Sequence, residues 1–237
     1  MSVAQITRNF VDSIENGKIF MYDDIPDDNK MGIAIELSRL FKKGLIKKVS
    51  KGKYYKPKIT PFGEIGPSSD EKIKSFIEAS SNDYVSGISN LNRLGLTTQV
   101  PNVITIASNQ SSRKVKLQNT TIKFVPKLNQ SSKKDIKLSQ LLDALNSLKK
   151  IPDTSIDEAF RMIKIMIEKL EKKEQQGLAK LALNYPPRTK ALVGAILKNV
   201  GLWEEAYKLK STLNPISIYK INISKEILPN KDEWRIV

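Results

Sequence analysis

The sequence predicts an α+β fold: an N-terminal winged helix-turn-helix, a small mixed α/β middle unit and a helical C-terminal part. Three observations predict it. Asn29 to Lys58 reads as a helix, a glycine stop and a short hairpin. Val103–Ala107, Lys114–Leu117 and Thr121–Pro126 are short β-prone runs separated by Ser, Asn and Gln. From Asp135 onward, apolar residues recur at three- and four-residue steps. A chain of 237 residues holds two ordinary domains more readily than one large one. The expected division is a DNA-binding domain at 1–58, a connector at 59–67 and a second domain at 68–237. Within the latter, 68–130 is mixed α/β and 135–237 mainly helical.

Each element has a local reason. Ile6, Phe10 and Ile14 step by four through a first helix, Val3 to Glu15, with Ser2 as cap and Gly17 beyond its end. Lys18–Tyr22 is strand-like. Asp23-Asp24-Ile25-Pro26 opens a brief second helix with Asp24 as its cap. The third helix starts at Asn29 or Asp28, buries the stripe Ile33, Ala34, Leu37, Leu40 and Phe41, and stops at Gly44. Leu45 to Val49, the turn Ser50-Lys51-Gly52-Lys53 and Tyr54-Tyr55 make the hairpin.

Three prolines and two glycines make 57–69 aperiodic, hence a connector. Ser69 then caps a helix, Asp70 to Ala79. A strand entering Gly87 and a short helix Asn90–Leu94, stopped by Gly95, precede the three β runs.

Leu138, Leu141, Leu142, Leu145 and Leu148 share one face of the first C-terminal helix. Phe160, Ile163, Ile167 and Leu170 share one face of the next, which starts at Asp153 or Thr154 and breaks near Gly177. Tyr185-Pro186-Pro187 ends a two-turn piece and begins the helix Thr189–Asn199, since proline suits only a first turn. Ala191, Gly194 and Ala195 suit close packing there. Ile216–Ile223 alternates like an edge strand.

Composition narrows the function. A net charge of +15 points to a polyanionic partner. Residues 1–58 hold 12 basic and 7 acidic side chains, and Arg39 to Lys58 holds nine basic and none acidic. A second basic stretch, 109–150, has ten basic residues against Asp135 and Asp143. With neither Cys nor His, thiolate and imidazole chemistry are excluded, and a cytoplasmic setting is expected. The longest apolar run, Ala191–Leu197, is too short for a membrane span, and MSVAQITRNF does not read as an export signal.

The face of the third helix opposite Leu37 mixes apolar, small and cationic groups, which suits a major groove better than bulk water. The candidate DNA-facing residues there are Lys30, Met31, Ile35, Glu36, Arg39, Lys42 and Lys43. Arg can bond guanine, Glu can accept from cytosine, and Met or Ile can meet a thymine methyl. On the hairpin, Lys47, Lys48, Lys51 and Lys53 would meet phosphate. No cofactor is expected.

Several stretches together resemble a known family: LSRLFKKGLIKKVSKGKYYKP, FGEIGPS, VSGISNLNRLGLTTQVPN, IPDT and YPPRTKALVGAIL. They are similar to the AbiEi-like antitoxins of bacterial abortive-infection toxin–antitoxin operons, specifically a short branch with one N-terminal winged helix. The resemblance covers nearly the whole chain and is weakest after Gly201. It implies a winged helix that binds operator inverted repeats and represses its own operon. It further implies a C-terminal part that counteracts a nucleotidyltransferase-like toxin. It supplies no catalytic motif.

Two rival readings remain. One is a protein-interaction module with incidental DNA binding, using a groove around Ala191–Leu197 with Tyr185, Trp203 and Tyr207, residues otherwise expected in ordinary core. The other is a metal-dependent nucleic-acid enzyme using Asp153, Asp157 and Glu158, which helix capping explains more simply.

Overall fold

A computed structural model describes residues 1–77, 82–117, 120–130 and 132–237. It divides into two compact units: Met1–Ser81 with Lys114–Ile122, and Asn82–Arg113 with Lys123–Val237. The sequence places the first boundary at residue 58.

The first unit begins with α1 (Val3–Ser13), whose first turn is capped by Ser2 Oγ accepting from the Gln5 amide at 3.3 Å. Then come β1 (Ile19–Met21), α2 (Lys30–Lys42), β2 (Lys47–Ser50) and β3 (Lys53–Tyr55). Strands β1 and β2 both pair antiparallel with β3, in the order β1-β3-β2. The ladder slips between Lys48 and Ser50, leaving Val49 as a bulge. Asn29 caps α2 through its side-chain oxygen and the Gly32 amide at 2.9 Å, and Gly44 follows the helix at φ +76°. The core is Val11, Phe20, Ile25, Ile33, Leu37, Leu40 and Ile46. Each such side chain contributes roughly 1.5–3 kcal/mol by leaving water.

Four expectations fail here. Between β1 and α2 there is only a 3₁₀ turn, Tyr22–Asp24. Asp24 accepts the Met21 amide at 2.7 Å, and Ile25 is extended (φ −84°, ψ 127°) because Pro26 disfavours a helical residue before it. The stripe of α2 is narrower than expected: Ala34 and Phe41 are exposed. The stretch read as a connector folds into a hairpin, β4 (Lys58–Thr60) and β5 (Gly63–Ile65), with a two-residue turn at Pro61-Phe62. Last, α3 (Ser69–Ile77) is capped by Ser68, one residue earlier than expected, at 3.1 Å from the Glu71 amide. Its expected extension to Ala79 lies outside the described residues.

Beyond Asn82 come β6 (Tyr84–Ser86), α4 (Gly87–Arg93), β7 (Val103–Ser108), β8 (Arg113–Lys116) and β9 (Thr121–Pro126). Their sheet runs β6-β7-β9-β8. The helices α5 (Ile136–Asn146), α6 (Ile156–Glu168), α7 (Lys172–Ala182), α8 (Pro187–Asn199) and α9 (Trp203–Ser211) follow. Helix α8 is the central one, buried continuously from Ala191 to Leu197. A helix apolar all round is what such a position requires.

Four further expectations fail in this unit. Helix α4 starts at Gly87 and not at Asn90, and α6 is capped by Ser155, whose Oγ accepts the Glu158 amide at 3.1 Å, and not by Asp153 or Thr154. The break between α6 and α7 falls at Glu171, whose amide bonds Glu174 in a capping arrangement at 3.0 Å. Gly177 lies inside α7, where an added Cβ would stand 3.2 Å from Leu138 of α5. Ile216–Ile223 is no strand. It forms a single bridge, Tyr219 with Ile236, closed by the Tyr219 amide on Arg235 O (2.8 Å) and the Val237 amide on Tyr219 O (3.0 Å).

Candidate nucleic-acid interface

Helix α2 turns Ile33, Leu37 and Leu40 inward and leaves Met31 (77% exposed), Ile35 (50%) and Arg39 outward. Lys42 and Lys43 lie exposed in its last turn, with no ion-pair partner among the described residues. Gly32 is half-buried, and an added Cβ would come 3.0 Å from Val3 of α1. Lys30 pairs with Asp23 at 3.3 Å. Asp23 and Asp24 are thus committed to a lysine and to the turn.

Glu36 is not on that face. It is 2% exposed, gripped by Arg8 of α1 (Nε–Oε1 2.7 Å) and by Arg39 (Nη1–Oε2 3.3 Å). The Arg8 hydrogen bond, foremost, holds its carboxyl below the usual carboxylate range, and burial opposes it. A base-reading role for Glu36 is therefore withdrawn. Adjacent positions on a helix lie about 100° apart, so a border residue is buried once a second helix covers it. Arg39 keeps 64% of its side chain exposed while tethered to Glu36, so its guanidinium is oriented in advance.

The hairpin separates its four lysines. Lys51, in the turn beside Gly52 (φ +75°), is exposed. Lys48 is exposed and lies over the rings of Phe41 (4.8 Å) and Tyr54 (5.7 Å), which ties the hairpin to the last turn of α2. Lys47 is ion-paired to Glu64 of β5, which raises its pKa. Lys53 is buried: its ammonium donates to the Ser75 carbonyl, contacts Met21 Sδ at 3.8 Å and sits 4.7 Å over Phe76. The expectation that Lys53 meets phosphate is overturned, because strand alternation turns it toward α3. The structure thus leaves Met31, Ile35, Arg39, Lys42, Lys43, Lys48 and Lys51 exposed. Arg8, which sequence reasoning missed, had no signal beyond its charge.

The acids considered for metal chemistry do not converge. Asp153 faces the Thr97 hydroxyl at 3.5 Å, Asp157 accepts the Ser224 amide at 2.8 Å, and Glu158 pairs with Arg161 at 2.9 Å. Among the described residues no group of three or more acids could hold a metal ion. Asp143 is a half-buried acid, accepting from Ser86 Oγ (2.6 Å) and the Tyr185 hydroxyl (2.7 Å) while burial raises its pKa. It joins the VSGISN stretch to the YPPRT stretch, so Tyr185 is core as expected. Trp203 and Tyr207 are not: one turn apart on α9, they are 63% and 73% exposed.

A family model described as "Family of unknown function (DUF6088)" matches residues 5–197. The chain belongs to this family. The DUF6088 match therefore takes in α2, the hairpin and the helical part through most of α8. No curated protein matches the sequence. Among solved structures, the crystal structure of RV2827C protein from Mycobacterium tuberculosis is similar at a TM-score of 0.50 and 11% identity. The similarity covers 91% of this chain and 83% of that one, and at this identity it is a likeness of fold. No helix among the described residues is long and apolar enough to cross a membrane.

Proposed function

We propose that this chain is a DNA-binding autorepressor and antitoxin of a toxin–antitoxin operon, acting in the cytoplasm without catalysis of its own. Its partners are operator inverted repeats and a nucleotidyltransferase-like toxin. The observation that carries the DNA part is one exposed surface. Met31, Ile35, Arg39, Lys42 and Lys43 line the outer side of α2, and Lys48 and Lys51 extend it onto the hairpin. The order helix, strand, turn, helix, hairpin with a β1-β3-β2 sheet supports a winged helix whose recognition helix is α2. In that arrangement α2 enters the major groove, Arg39 reads a base edge, and Lys51 holds phosphate. The antitoxin part rests on the sequence stretches quoted above.

DNase footprinting on the region upstream of the chain's own gene tests this. Two protected, symmetry-related half-sites are expected. Equal binding to random DNA, with no protected segment, overturns the reading. A second reading, a protein-docking module, draws on exposed Trp203 and Tyr207. If co-purification with the neighbouring operon product is lost on Trp203→Ala while the footprint persists, protein docking is a separate activity of α9.

A further inference from the structure

A cavity of the second unit near its C-terminal segment has a volume of about 620 Å³ and is open to solvent. That is within the usual size range of small-molecule sites, roughly 300–1,000 Å³. It lies beyond the span matched by the DUF6088 family model. Apolar walls come from Leu213 and Ile236, with Trp234 and Tyr219 among the lining residues. The Trp234 ring is 2% exposed and its six-membered edge packs against Gly194, where any Cβ would overlap it.

Two buried polar atoms of this lining have no protein partner: Trp234 Nε1 and the Tyr219 hydroxyl. Such groups are rare, and each costs about 1–3 kcal/mol when left unsatisfied. Indole N–H can only donate, and burial keeps the Tyr219 hydroxyl protonated and able to donate. The charged residues of the lining point the same way. Asp232 is paired with Lys225 at 2.6 Å and Glu233 with Lys198, so each acid already has a cationic partner. Lys210, 5.6 Å over the Trp234 ring, and Arg235 have no ion-pair partner among the described residues.

From apolar walls and two unpaired cations, we infer that this cavity binds a small organic anion: a carboxylate or phosphate on a flat apolar body. The anionic group meets Lys210 and Arg235, and the body lies along Trp234 and Tyr219. This inference does not depend on the DNA reading.

The test uses the full chain carrying Trp203→Phe, so that Trp234 is the sole indole reporter. 3-Phenylpropionate and adenosine monophosphate are titrated against their neutral counterparts, 3-phenylpropionamide and adenosine, while Trp234 emission (excited at the red edge, where only indole absorbs) and the unfolding midpoint are followed. Saturable binding of at least one anion, about ten-fold or more tighter than its neutral counterpart, is expected. Which anion wins separates a carboxylate ligand from a phosphate one. Lys210→Met and Arg235→Met should each weaken binding by about ten-fold with the unfolding midpoint of the free protein unchanged. Three outcomes overturn the inference: no saturable change with either anion, equal binding of anion and neutral counterpart, or affinity unaltered in both variants.

Discussion

Glu36 and Lys53 show how far a single residue's role depends on what packs over it. Both lie among the charged positions of a basic surface in the sequence, and both are withdrawn from it in the fold. Glu36→Gln should destabilise the chain by about 1–3 kcal/mol at neutral pH in urea unfolding, the range for losing charge-assisted hydrogen bonds to a buried group. The pH dependence has a definite sign. Because Arg8 holds the folded-state pKa of Glu36 below its unfolded value, its stabilisation is present above about pH 4.3 and is lost as pH falls through the folded value. The gap between wild type and Glu36→Gln should therefore narrow toward pH 3; a constant gap would show that the ionised pair is not its source. Lys53→Met should cost stability while leaving the salt dependence of DNA binding unchanged. Lys51→Ala should do the reverse, lowering the slope of log K against log salt by about 1. Arg39→Ala should relax discrimination at one base position by about 1–3 kcal/mol.

Elements were legible where the signal was local. The strands at 103–108 and 121–126 and the helix starting at Pro187 follow from runs of β-prone residues and from proline geometry. The hairpin β4–β5 was hidden because its strands are three residues long and mostly exposed, so no buried face imposes a pattern. Gly177 read as a breaker because composition alone cannot distinguish a stop from a close approach. Leu138 supplies the distinction only in three dimensions. The same logic makes Gly194 a sharp test. Alanine gains about 1 kcal/mol over glycine in a helix interior, but overpacking a filled core costs roughly 1–3 kcal/mol. Its Cβ would overlap the Trp234 ring, so Gly194→Ala should lower the unfolding midpoint. A raised midpoint would mean that the ring can move aside.

At the scale of the whole molecule, the candidate surface was largely readable from charge and helical spacing. Which of its members stay free was not. Of eleven residues named from the sequence, Glu36 and Lys53 are buried, while Lys30, Arg39 and Lys47 are ion-paired with Asp23, Glu36 and Glu64, Arg39 keeping most of its side chain exposed. The remaining group is smaller and lies exposed on the outer side of α2 and on the hairpin. Exposure of Trp203 and Tyr207 was likewise unreadable, since apolar residues at helical spacing ordinarily face a core. The central claim is that the outer side of α2 and the hairpin tip together bind a duplex. The most direct measurement is the salt dependence of binding to the chain's own upstream DNA. Replacing Lys42, Lys43 and Lys51 together by alanine should reduce the slope by about 3 and leave the unfolding midpoint unchanged. An unchanged slope, or no binding by the wild-type chain, would contradict the account.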